Sequence, residues 1–146
     1  MNIEAFHQLL RVLRKVRDEK KSFRMDRWWV QGECGTAGCA IGYACQDPWF
    51  IERYLVLVKY GKAPDWVYNI EYLDPRFKYD YEGHYPEDHH AVAKFFQISK
   101  DHVHMLFYPD GYEVFPVSVE HVIFKIEAYL ALNMTLSEVG INSGGV

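Results

Sequence analysis

Glu33-Cys34-Gly35-Thr36-Ala37-Gly38-Cys39-Ala40-Ile41-Gly42-Tyr43-Ala44 is the stretch on which the fold turns. The small residues Ala37, Gly38, Ala40, Gly42 and Ala44 predict a slim helix with Thr36 as its N-cap. Glycine costs a helix interior up to ~1 kcal/mol per residue relative to alanine, so close packing must offset it. The helix is therefore expected to be buried. Cys39 and Cys45 fall inside it, where cysteine serves as a small buried hydrophobe.

Upstream, Asn2 is placed to cap a helix in which Ile3, Phe6, Leu9, Leu10, Leu13 and Val16 recur at helical spacing. Phe23, Met25, Trp28 and Trp29 form an apolar connector into the glycine-rich stretch. Downstream, helix and strand are both open for Tyr54-Leu55-Val56-Leu57-Val58, with helix preferred. Three further helices are expected. Asp88 caps one carrying Ala91, Val92, Phe95 and Phe96. Ser99 caps one carrying Val103, Leu106 and Phe107, stopped by Pro109. Ser118 starts one with Val119, Val122, Ile123, Ile126, Tyr129 and Leu130 on one face. Thr135-x-x-Glu138 has capping-box spacing for a final turn. The fold class read from this pattern is mainly α. It is a compact single domain, 1–146, of about five to six helices. A long aromatic and acidic loop or small β-hairpin interrupts it at 65–88, and the tail 142–146 is flexible.

The chain has 146 residues, 49% hydrophobic and 25% charged. It is long enough for one core without disulfide or metal support. No apolar run approaches the ~18 residues of a spanning helix. No secretory signal is visible at the start, and three Cys without one imply reduced thiols and a cytoplasmic protein. Net charge is −4, which argues against direct nucleic-acid binding. The charge is nonetheless uneven: residues 1–27 hold eight of the sixteen Lys and Arg against four acids. That stripe reads as the solvated face of the first helix.

Two chemical readings of the cysteine stretch compete with packing. A thiol at a helix N-terminus is activated by the dipole, which makes Cys34 or Cys39 a candidate nucleophile with His90 as its base. Gln31-Gly32-Glu33-Cys34-Gly35 is similar to the papain-type cysteine protease signature. The match breaks at the interval between the cysteines, at Ala40 where tryptophan belongs, and at the missing downstream Asn-Ser-Trp. Zinc is the other reading, at Cys34, Cys39 and Cys45 with histidines from elsewhere. Structural zinc prefers closer cysteine pairs, so no metal or other cofactor is expected. Packing accounts for the glycines, which neither chemistry requires, and the reading leans away from an enzyme.

Phe23-x-Met25-x-x-Trp28, followed by Cys34-Gly35-Thr36-x-x-Cys39-x-x-Gly42-Tyr43-Ala44, resembles a signature of short bacterial and phage proteins of no established activity. Their pattern continues in Phe95-Phe96-Gln97-Ile98-Ser99 and Leu106-Phe107. Arg24 and Tyr43 depart from it, standing where those proteins carry an acid and a tryptophan. The resemblance implies a small, mainly helical, phage-borne module and carries over no catalytic residue.

Aromatic residues make up 16% of the chain. Phe6, Trp28, Phe95, Phe96, Phe107 and Phe124 sit on or beside helical patterns and need only a core. Residues 65–88 differ, with seven acids among Trp66, Tyr68, Tyr72, Phe77, Tyr79, Tyr81 and Tyr85. Tyrosine gives broad contact area at little conformational cost, as in binding loops. These seven aromatics are the candidate binding residues, unless they fold back as core cover. The leading functional expectation is a non-enzymatic binding protein with a protein partner, regulating or inhibiting a host factor through this surface. A small cysteine-dependent hydrolase is one alternative. A protein that sequesters a nucleotide or metabolite between Arg and aromatic walls is another. The abundant aromatics also leave a homodimer open.

Overall fold

The computed structural model describes residues 1–32, 35–63, 65–78 and 84–138. Cys34, Tyr79, Tyr81, the Glu82-Gly83 turn and the tail from 142 lie outside those residues. Within them the fold is α-rich, with two small antiparallel hairpins. The order is α1 (Ile3–Asp18), β1 (Trp29–Gly32), β2 (Gly35–Gly38), α2 (Ala40–Ala44), α3 (Pro48–Ile51), β3 (Leu55–Tyr60), β4 (Val67–Tyr72), α4 (Asp88–Phe96), α5 (Lys100–Phe107) and α6 (Val119–Glu138). No helix among the described residues is long and apolar enough to cross a membrane.

Helix α1 forms as its periodicity predicts. Asn2 Oδ1 accepts from Ala5 N at 3.2 Å, and Asn2 Nδ2 donates to Phe95 O at 3.1 Å, which ties the cap to α4. The apolar stripe Phe6, Leu9, Leu10, Leu13 and Val16 is buried, and the bases face away from it. Ser99 caps α5, its hydroxyl accepting from His102 N at 3.2 Å. Ser118 Oγ accepts from His121 N at 3.3 Å at the start of α6. Phe6 lies at the centre of the core. Its ring centroid is 4.8 Å from Phe96 and 5.7 Å from Tyr129, and Phe96 is 5.6 Å from Phe107. Each such side chain contributes about 1.5–3 kcal/mol by leaving water.

Six expectations are corrected. Residues 35–38 are a strand, not the first turn of a helix, so the slim helix shortens to α2 and Cys39 replaces Thr36 as its cap. Pairing 35–38 with 29–32 satisfies main-chain groups that a glycine-rich helix would hold only weakly. Residues 55–60 are also a strand, paired Leu55↔Tyr72 through Tyr60↔Val67. An apolar run of that length is ambiguous by periodicity, and an available partner with β-branched and aromatic residues decides it. The stretch 65–88 is thus not irregular throughout, since it supplies β4 and a 3-10 turn at Pro75–Phe77. Asp88 does not cap α4. Its carboxylate accepts from Ile70 N at 3.1 Å and fastens the helix to β4. Helix α6 runs on through Thr135 to Glu138 without a new start, and Phe124 is 75% exposed because it falls opposite the Val122–Ile126–Tyr129 face.

Candidate functional site

The two hairpins and the end of α5 border an open cleft among the described residues. It measures about 700 Å³ and is lined by residues 24–31, 65–69 and 107–109. Its shape follows from the glycines of the opening stretch. A Cβ on Gly42 would overlap the carbonyl oxygen of Trp28, and one on Gly38 would overlap the ring of Trp29. With hydrogen there instead, Trp28 O accepts from Cys39 N at 3.2 Å and the Trp29 ring meets Tyr43 edge-on at 5.2 Å. Residues 28–31 are thereby held as one wall of the cleft.

Aromatic faces dominate the lining. Trp28 meets Tyr108 edge-on at 5.5 Å, and Tyr108 stacks on His104 at 4.2 Å. Across the cleft, Trp66 is 39% exposed, with Lys59 Nζ 3.9 Å from its ring centroid. Tyr68 OH donates to Gln31 Oε1 at 3.2 Å, bridging β4 to β1. Burial pushes the Tyr108 phenol up to about 12, with the nearby Asp88 charge adding to the effect. Tyr108 therefore stays a neutral donor at physiological pH.

Charge sits at the rim. Arg24 forks onto Asp26, Nε to Oδ1 at 2.7 Å and Nη2 to Oδ2 at 2.6 Å. These bonds hold the Asp26 carboxyl below its ordinary range. Arg27 is exposed and holds no hydrogen bond or ion pair among the described residues. The cleft thus combines stacking surfaces, fixed polar groups and, in Arg27, an exposed guanidinium whose charge also acts on Asp26.

The structure divides the nominated binding residues. Trp66 and Tyr68 line the cleft. Tyr72 is buried, its ring 5.4 Å from Phe95 and its hydroxyl donating to Asp74 at 3.2 Å. Phe77 packs on Tyr72 at 5.6 Å. Tyr85 is half-buried and away from the cleft. Tyr79 and Tyr81 are outside the described residues.

Of the thiol candidates, Cys39 is buried and its Sγ accepts from Gly42 N at 3.4 Å. Burial pushes this thiol up to about 11 and raises the buried Cys45 thiol as well. A thiol so placed carries almost no thiolate at neutral pH. His90 lies on α4 beside His89, with ring centroids 4.1 Å apart. Among the described residues, no group of three or more His, Cys, Asp or Glu is arranged to hold a metal ion.

The lining residues that the sequence reading passed over are Arg24, Asp26, Arg27, Trp28, Trp29, Gln31, Asn69 and Tyr108. One signal was available in Arg27-Trp28-Trp29, a cation beside two indoles where no helix could bury both. No protein-family model, curated protein or solved structure matches the chain.

Proposed function

We propose that the protein is a non-enzymatic binding module that receives a segment of a protein partner in the cleft between its hairpins. The observation that carries this reading is the cleft itself: about 700 Å³, walled by Trp28, Trp29, Trp66, Tyr68 and Tyr108. Large aromatics left partly open at the mouth of a concavity provide contact area and polar tips together, as interface hot spots do. The burial of Cys39 and Cys45, whose thiols stay protonated, supports binding over thiol chemistry at those two residues. Regulation or inhibition of a host factor is the role we propose for this surface.

The test starts from dodecamer peptides selected from a random phage-displayed library on the immobilised native protein. The selected peptide should bind the Trp66→Ala/Tyr68→Ala variant about tenfold or more weakly than the parent, since each aromatic anchor contributes over 1 kcal/mol. The variant's melting temperature should stay within a few degrees, because both side chains face the cleft and not the core. Equal affinity for the two proteins contradicts the reading.

One observation favours a second occupant. The volume lies in the range that houses small ligands, and Arg27 beside tryptophan faces suits a planar anion such as a nucleotide. Native mass spectrometry of the purified protein with AMP distinguishes it, through a 1:1 adduct that is lost in Arg27→Ala.

A further inference from the structure

We infer that the partner segment binds as an added β-strand, an extended peptide whose main chain pairs with the edge of β1 that has no partner strand among the described residues. This rests on the reading of the cleft as the binding site and names what enters it. The argument begins with the phase of the β1–β2 ladder. Antiparallel pairs alternate between hydrogen-bonded and non-bonded, and Cys39 N donating to Trp28 O sets 28↔39 as bonded. Val30↔Ala37 is then bonded too, whereas Trp29↔Gly38 and Gln31↔Thr36 are not. Gly38 confirms the phase, since its carbonyl points away from β1 and accepts from Arg24 N at 3.0 Å. Trp29 and Gln31 therefore aim their N–H and C=O groups away from β2.

The second hairpin offers a matching edge. Tyr72 N donates to Pro86 O at 3.1 Å and Ile70 N to the Asp88 carboxylate at 3.1 Å, so alternate residues of β4 point away from β3. Tyr68 continues that series, two residues on, and no backbone bond to it from outside its own hairpin is present among the described residues. Residues of β1 and β4 line the cleft, and none of β2 or β3 does. Each hairpin thus faces the cleft with the edge remote from its partner strand. The two edges form no common ladder.

An unpaired strand edge is a template for another chain, and natural proteins cover or charge the edges they do not use. Here the edge is walled by aromatics. An extended peptide supplies alternating N–H and C=O groups at the required spacing, and its alternate side chains fall against Trp28, Trp66 and Tyr108. Arg27, exposed at the rim, favours an acidic side chain on the peptide. A small planar ligand would occupy the aromatic faces and leave the main-chain groups of Trp29 and Gln31 unpaired.

The test uses the full chain and the dodecamer selected as above, resynthesised with single N-methylated amides along its length. Methylation removes a main-chain donor, which costs about tenfold in affinity where that donor is paired. The expected result is a two-residue alternation, with about tenfold losses at every other position of the central stretch and near-parent affinity between them. Arg27→Glu should weaken the peptide, and replacing the peptide's acid by lysine should restore binding to that variant alone. Uniform tolerance of N-methylation, with binding still abolished in Trp66→Ala, overturns strand addition and leaves the cleft reading standing. Binding indifferent to Trp66→Ala, or a library that yields no binder, overturns both.

Discussion

Gly42 and Asp74 show how single residues set this structure. On helix propensity alone, Gly42→Ala would stabilise α2 by about 1 kcal/mol. The Cβ would instead meet the carbonyl oxygen of Trp28, which is backbone and itself bonded to Cys39 N. Overpacking against a fixed group costs about 1–3 kcal/mol, so the variant should unfold at lower urea than the parent. A gain in stability would show that the wall at Trp28 moves freely. Asp74 is almost fully buried and gathers four donors. Arg76 N, Nε and Nη2 lie within 3.1 Å, and Tyr72 OH at 3.2 Å. The Arg76 side-chain bonds, together with the others, hold its carboxyl at about 2, against 3.8 ordinarily. A carboxyl depressed on folding stabilises the protein above its unfolded pKa, and that contribution is lost as the pH falls from near 4 towards 2. Asp74→Asn should lower stability near neutrality by about 1–3 kcal/mol and flatten the acid limb of the urea-midpoint profile between those values. An unchanged acid limb would contradict the assignment. The need for glycine at 42 was legible in the sequence as a demand for close packing. Its partner was not, because the main-chain carbonyl of Trp28 leaves no trace in composition.

At the scale of elements, helices with a one-sided apolar stripe and a capping residue could be read directly, as α1, α5 and α6 show. The hairpins could not. Leu55-Val56-Leu57-Val58 is apolar on both faces, so its period is hidden until Val67–Tyr72 is known to lie beside it. Gly35–Gly38 reads as helix by size and is a strand by pairing. The packing of α4 on α5 adds a feature no pattern announced, a cluster of imidazoles. The His89 ring centroid lies 4.1 Å from His90 and 5.8 Å from His104. Burial lowers the His89 pKa from 6.5, and the charges of His90, Lys100 and His104 lower it further against the pull of Asp88. With its folded value depressed, the unfolded chain takes up the proton first. His89 therefore stabilises the fold fully above 6.5, and that contribution is lost as the pH drops through 6.5 towards the folded value. Urea midpoints at about pH 7.5 and about pH 5.5 should differ in that direction, and by less in His89→Gln. An equal pH response in the variant would remove His89 as the cause.

For the whole molecule, the composition separated rings that build the core from rings that await a partner, but it drew the line in the wrong place. Tyr72 and Phe77, nominated for binding, pack inside, whereas Trp28, assigned to the core, packs against it and also lines the cleft with Trp66 and Tyr68. Local sequence could not show this, because the cleft is assembled from three segments far apart in the chain and its floor depends on two glycines. The basic N-terminal region likewise divides. Arg11, Arg14 and Lys15 ride the outer face of α1, while Arg24 and Arg27 arrive at the rim of the cleft. The central claim is that this cleft binds an extended chain along the edge of β1 remote from β2. Amide hydrogen exchange followed residue by residue, with and without the selected peptide, tests it most directly. The account predicts new protection at the amides of Trp29 and Gln31 and little change along α6. Protection that leaves those two amides untouched and appears instead on the exposed α6 face around Phe124 would contradict it.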